Sequence, residues 1–323
     1  MNKPKVSVVM ITYGHEKYIE QAINGVLMQK CSFCIELIIA NDCSLDNTDD
    51  IVNRIIEFHP NADRIRYIKH EKNIGVSRNF FFAIKESRAE YITLCEGDDY
   101  WIDPLKIQKQ VEFLEGNDEY GLVCTDFNIY NQTSDEMQES IFKNQPNKFP
   151  IYDNFEEFLI EAGYMAPCTW MCKKEFFPEE FDGYVDVTFA WLLDIFANSK
   201  VGVIMETTTV YRVLEESASH SKSISKIYER AFGLLRIQLD YIDKYKLSTK
   251  IKFTVLQKYY NMLLPTLVVL NDSEEIEKAK IYLPKNKRTI KQNILFFLDF
   301  VPFGNSLLLF TFKLKQHFNF KIN

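Results

Sequence analysis

The sequence predicts an α/β fold: a Rossmann-like, mostly parallel sheet flanked by helices, followed by a helical carboxyl-terminal extension. Three observations predict it. From Val6 to Tyr130 short apolar runs alternate with amphipathic stretches, the pattern of βαβ units. Polar and acidic turns follow the apolar runs, so several strand-to-helix turns share one rim, where such sheets bind ligand. After Ser225 the pattern becomes mainly helical. The 323 residues, 46% of them hydrophobic, suffice for one large α/β domain with an appendage.

Strands are predicted over 6–12, 36–41, 65–69, 91–95 and 122–127, where β-branched and apolar residues run without helical spacing. Between them 16–29, 47–58 and 76–87 place apolar residues on one helical face, and Ser44 or Asp46 is positioned to cap the second helix. A further helix is predicted over 103–114, with Pro104 in its first turn, where a missing backbone donor costs nothing. The polar stretch 131–153 reads as a surface loop. Helices are predicted over 155–162 and 189–197, and 201–205 with 207–213 are expected to form a strand pair closing the body.

Segment 294–312 is the most apolar, but Asp299, Pro302, Gly304 and Asn305 interrupt it, which favours a helical hairpin over a membrane-crossing helix of about 20 apolar residues. From Lys285 onward seven Lys or Arg face the single acid Asp299, while the whole chain carries −7. The acidic body argues against a nucleic-acid groove, which needs clustered Lys and Arg. The basic, apolar end reads as an interfacial anchor for anionic lipid over 285–323, with packing on its own domain or on a second copy, as in a homodimer, as the alternative. No apolar stretch of signal-peptide length precedes the first strand, so a cytoplasmic chain, peripheral on the inner face of the membrane, is expected. The pairs Cys31 with Cys34 and Cys168 with Cys172 lie in different elements, and the seven cysteines are read as thiols of a reducing compartment.

The chemistry gathers on the shared rim. Glu96-Gly97-Asp98-Asp99 follows a strand and puts three carboxylates within four residues. Such acids repel one another unless a cation or a hydrogen-bonded polyol neutralises them, and hard divalent ions take oxygen ligands of this kind. Met10-Ile11-Thr12-Tyr13-Gly14-His15 and Ile39-Ala40-Asn41-Asp42-Cys43-Ser44 end the first two strands on the same rim. Together with Asn73-Ile74-Gly75-Val76-Ser77-Arg78-Asn79 and Gly97-Asp98-Asp99-Tyr100-Trp101-Ile102-Asp103-Pro104, these turns resemble those of a family 2 glycosyltransferase with the GT-A fold. The likeness runs from about Pro4 to Arg212.

The resemblance implies a catalytic domain over 1–223, its nucleotide-sugar-binding half at 4–130 and its acceptor half at 131–223, with 224–323 as the helical region. It implies that Thr12 and Tyr13 hold the nucleotide and that Asp42 accepts the uracil imide proton, with Asn41 and Cys43 departing from the usual acid and glycine. Glu96 and Asp98 would meet the ribose and diphosphate, Asp98 and Asp99 an Mn2+ or Mg2+ ion, and Arg78 and Arg212 the nucleotide's phosphates. Arg78 lies where a helix start favours anions, whereas Arg212 has bridging to a core acid as its alternative. His220 could stand in for a histidine near the pyrophosphate, Leu214 occupying the usual place, and meet phosphate oxygens or the metal ion, or be a bystander. Asp186, where a helix could start, and Asp194, two turns inside one, compete as the base, and Asp186 is preferred. Tyr100, Trp101, Trp170 and Trp191 read either as sugar-stacking platforms or as core.

The reading implied is a metal-dependent inverting glycosyltransferase that moves one sugar from a nucleotide-sugar, a UDP-sugar, to a hydroxyl of a glycan or lipid-linked acceptor in capsule or surface-polysaccharide synthesis. The alternative is a non-catalytic nucleotide-binding protein that keeps the fold. A pyrophosphorylase would need a basic glycine-rich loop that Thr12-Tyr13-Gly14-His15 does not supply.

Overall fold

The apolar runs become strands because, with helices on both faces, every side chain of a parallel sheet can be buried. In the computed structural model, which describes residues 3–177, 183–215 and 223–301 with Gly304 and Ser306, β1 (Val6–Thr12), β2 (Ile35–Asn41) and β4 (Tyr91–Leu94) are buried along their whole length. The remaining strands are β3 (Ile65–Lys69), β5 (Tyr100–Trp101), β6 (Tyr120–Asn131), β7 (Glu136–Gln138), β8 (Trp170–Lys173) and β9 (Lys200–Val213). They form one sheet in the order β3-β2-β1-β4-β8-β6-β9-β5, with β7 pairing on β6.

β3, β2, β1 and β4 run parallel, whereas β8 is antiparallel to both β4 and β6. Helices α1 (Ile19–Leu27), α2 (Thr48–Phe58), α3 (Val76–Lys85) and α4 (Lys106–Gly116) alternate with the early strands, and α5 (Ile141–Asn144), α6 (Phe155–Glu161) and α7 (Val187–Asn198) follow. Val8, Met10, Leu37 and Ile39 are fully enclosed with Ile19, Ile23 and Val26 of α1. Each such side chain contributes roughly 1.5–3 kcal/mol by leaving water.

Two expectations are corrected. Residues 200–213 make one long strand, not a pair, because β9 follows β6 in parallel throughout and absorbs the irregular residues as register shifts near Thr125 and Asp126. The stretch 131–153 is not all loop: β7 and α5 lie within it, α5 anchored by buried Ile141 and Phe142.

The chain divides into two compact units, one of Met1–Phe158 with Gly163–Ser217 and the other of Leu159–Ala162 with Ala218–Asn323. In the second unit α8 (Ile224–Lys244), α10 (Ser273–Tyr282) and α11 (Ile290–Phe300) pack on α9 (Thr249–Leu270). Ser248 and Asp272 cap α9 and α10, and Thr289 with Gln292 forms a capping box on α11. Of the predicted hairpin over 294–312, α11 covers the first part, and nearly all the rest lies outside the described residues.

Candidate active site

Parallel strands bring their carboxyl ends to one rim, and the backbone ties three turns together there. Asp42 N donates to Thr12 O at 2.9 Å, and Gly97 N donates to Ile11 O at 3.0 Å. Gly97 is required by closeness: a Cβ added there would stand 2.7 Å from both Thr12 Oγ1 and His15 Nδ1. Thr12 is itself buried and its hydroxyl faces His15 Nδ1 at 3.2 Å, while Tyr13 beside it is 47% exposed.

The turn after β2 is self-contained. Asp42 is buried, and its two carboxylate oxygens accept from Ile74 N at 2.7 Å and Gly75 N at 3.0 Å. These bonds draw the 73–75 loop and the start of α3 to the rim, yet each oxygen keeps a lone pair for an incoming N–H. Asn41 donates to the Tyr67 hydroxyl and accepts from Ser44 N, so the amide at this departure from the family pattern braces the turn. Cys43, the other departure, has φ +63°, a backbone that favours glycine and that the cysteine adopts nonetheless. Arg78 stands exposed in the first turn of α3 with no hydrogen bond or ion pair among the described residues.

The turn after β4 is the opposite case. Glu96 is half-buried, and its confinement at the strand ends, together with the charges of Asp98 and Asp186, raises its pKa to about 8. Asp99 lies beneath the turn, 1% exposed. Its Oδ1 accepts from Arg212 N at 2.8 Å, while Oδ2 has no hydrogen-bond partner among the described residues. Burial and the charges of Asp98 and Glu96 push its pKa well up, against the smaller pull of the Arg212 N–H and the neighbouring Cys168 thiol. The Asp98 carboxylate has no hydrogen bond among the described residues. No group of three His, Cys, Asp or Glu among those residues could by itself hold an ion. The partly buried Asp98 and the orphaned oxygen of Asp99 nevertheless offer the oxygens that a hard divalent cation takes, and such ions commonly complete their shell with substrate phosphates.

Arg212 is committed to the protein. Its Nε donates to Asp98 O, and its two terminal nitrogens donate to Gln132 Oε1 and Gln21 Oε1. The guanidinium also lies 4.8 to 5.4 Å from the ring centres of Tyr18, Tyr100 and Tyr130. These contacts lock β9 onto the acidic turn through a backbone carbonyl and two glutamines, not through the side chain of a core acid.

Asp186 is the N-cap of α7, its Oδ1 accepting from Phe189 N at 2.9 Å and from the Thr188 hydroxyl at 2.7 Å. Its charge reaches Glu96, which puts it on the acidic side of the rim, and Asp194 lies further along α7. Trp170 and Trp191 are fully buried against each other, with ring centres 5.1 Å apart, and Trp101 is 2% exposed, so all three are core and not sugar platforms. His220 lies outside the described residues.

Two residues escaped sequence reasoning. Tyr164 keeps 40% of its surface exposed, faces Tyr211 edge-on and feels the charge of Glu96, so an aromatic ring stands at the acidic rim. Lys106 is fully buried, donating to Gln110 Oε1 at 2.6 Å with its ammonium 4.4 Å from the Trp101 ring centre, and burial lowers its pKa to about 7. A lysine in an amphipathic helix carries no local sign of such burial; Tyr164, beside Gly163 after a helix, had its loop position as a signal.

The family model described as Glycosyl transferase family 2 matches residues 7–181. An uncharacterized protein of Mycobacterium tuberculosis is 43% identical over 114 residues; the match takes in 35% of this chain, and the chain spans only 32% of that relative's length. Residues 1–349 of Staphylococcus aureus TarS, solved with UDP-GlcNAc, share the fold with a TM-score of 0.57 at 17% identity, over 94% of this chain and 83% of that one. The Pyrobaculum calidifontis mannosyltransferase PcManGT, solved with GDP-Man and Mn2+, superposes with a TM-score of 0.55 at 15% identity, over 95% and 87% of the respective chains.

Proposed function

The chain belongs to glycosyl transferase family 2, and from that premise we propose that it transfers a single sugar from a UDP-sugar to a hydroxyl of a glycan or lipid-linked acceptor, with inversion, in capsule or surface-polysaccharide synthesis at the cytoplasmic face of the membrane. The observation that carries this reading is the acidic turn: Glu96, Asp98 and Asp99 crowd one strand end, and among the described residues no cationic side chain neutralises their carboxylates. An enzyme that binds a diphosphate through a divalent ion has a use for charge left open in this way. TarS was solved with UDP-GlcNAc and PcManGT with GDP-Man and Mn2+, which supports a nucleotide-sugar donor and a divalent ion for a chain of this fold.

In this reading Tyr13 covers the base, Asp42 accepts its imide proton, Glu96 meets the ribose and Arg78 approaches the phosphates. Asp98 would hold Mn2+ or Mg2+, with Asp99 beneath it, and the bound ion would take up the charge of the departing diphosphate. Asp186 removes the acceptor's proton as the acceptor oxygen bonds to the anomeric carbon and the bond from that carbon to the diphosphate breaks on the opposite face. The α7 cap fixes one oxygen of Asp186 and so sets the angle at which the carboxylate faces the acceptor. The departures at Asn41 and Cys43 leave Asp42 in place, which favours a working donor site over a non-catalytic relative.

Asp186→Asn tests the assignment, because asparagine caps helices as well as aspartate and the fold is preserved. Incorporation of radiolabelled sugar from a panel of UDP-sugars into the polymer and lipid fractions of membranes should fall about 10²–10⁴-fold, with UDP affinity unchanged. Full transfer by this variant would remove Asp186 from the reaction.

A further inference from the structure

Helix α11 has two apolar faces, and among the described residues only one is packed. Leu295 and Phe296 are buried on its inner face, Gln292 donates to Asn261 of α9, and the Arg288 guanidinium sits 3.8 Å from the Phe296 ring centre. On the outer face Ile290, Ile294 and Phe297 recur at i, i+4 and i+7 and are 82%, 53% and 65% exposed. This spacing aligns them in one stripe. Lys285, Lys287 and Lys291 are exposed beside it and form no hydrogen bond or ion pair among the described residues.

We propose that this face of α11 is a docking surface for an anionic lipid bilayer, with the Ile290, Ile294 and Phe297 stripe entering the headgroup boundary and Lys285, Lys287 and Lys291 contacting acidic headgroups. The charge fits that occupant: from Lys285 to the last residue seven Lys or Arg stand against one acid, whereas the rest of the chain is acidic. A bilayer surface rewards an apolar stripe and flanking cations together, and α11 with the 285–287 turn before it carries both. The surface is independent of the donor chemistry and would set the enzyme beside a lipid-linked acceptor.

The test is co-sedimentation of the full chain with vesicles of phosphatidylcholine alone or with about 30% phosphatidylglycerol, a composition chosen to supply a surface potential. The wild type should pellet with the anionic vesicles only. Ile290→Ser, Ile294→Ser and Phe297→Ser combined should weaken that binding about 100-fold, and replacing the three lysines with glutamine by a similar factor. Both sets alter exposed positions, so circular dichroism and thermal unfolding should match the wild type. A wild type that stays in the supernatant, or variants that pellet unchanged, would overturn the proposal. A dimeric wild type made monomeric by the serine variant would assign the face to a second copy of the chain instead.

Discussion

Glu36 and Glu96 are two acids at opposite ends of the same sheet, and the protein treats them in opposite ways. Glu36, near the amino end of β2 and 3% exposed, is met by the Ser7 hydroxyl at 2.6 Å, by Arg88 through Nε at 3.0 Å and a terminal nitrogen at 2.7 Å, and by Arg66 at 3.3 Å. Burial would raise its pKa, but the hydrogen bonds from Ser7 and Arg88 and the charge of Arg88 outweigh it, and the pKa is lowered. Glu96, at the carboxyl end of β4, has acids for neighbours and a pKa pushed to about 8. The fold can neutralise a confined glutamate with its own arginines, so Glu96, Asp98 and Asp99, which have no counter-charge among the described residues, mark the end of the sheet suited to receive a ligand.

The sharpest way to break this contrast is Asp98→Asn. Metal-dependent nucleotide affinity, measured by calorimetry, should fall about 1,000-fold while the melting temperature holds or rises, since a like-charge contact is removed. A lowered melting temperature with unchanged affinity would make the acidic turn structural. At the other end, Glu36→Gln removes the charge that Arg88 pairs with, while Arg66 keeps Glu86, and should cost about 2 kcal/mol in urea unfolding, with little effect on nucleotide binding.

A smaller effect distinguishes the two glutamates by pH. Glu36 has a lowered pKa, so its stabilisation is present above the unfolded value of 4.5 and is lost as pH falls through the folded pKa. Glu96 behaves inversely: between 4.5 and about 8 the unfolded chain gives up a proton that the folded chain keeps, so stability declines as pH rises through that window. Urea midpoints recorded from pH 5 to pH 8 without metal should decline, and Glu96→Gln should flatten the slope. An identical slope in that variant would move the effect elsewhere.

What was legible in the sequence follows the range of the interactions. The parallel strands β1 to β4 and helices α1 to α4 are read from local periodicity, and their turns place Thr12, Asp42 and Asp98 on one rim. β8 was missed because three apolar residues and a lysine carry no period, and its antiparallel seat between β4 and β6 depends on partners far along the chain. The contacts of Arg212 with Asp98 O, Gln132 and Gln21, at sequence separations of 114, 80 and 191 residues, take three of its five donors and have no local signature. Lys106 and the two enclosed tryptophans were obscure for the same reason: burial is a property of the assembled core.

The measurement that bears most directly on the account is calorimetric titration of the wild-type chain with UDP and with GDP at pH 7, each with Mn2+ and after chelation, in two buffers of different ionisation enthalpy. If open charge at Glu96, Asp98 and Asp99 receives the ion and the donor, UDP should bind only with Mn2+ and should release protons as the confined acids ionise. UDP binding that survives chelation and releases no protons would contradict it, as would the failure of either nucleotide to bind under any condition.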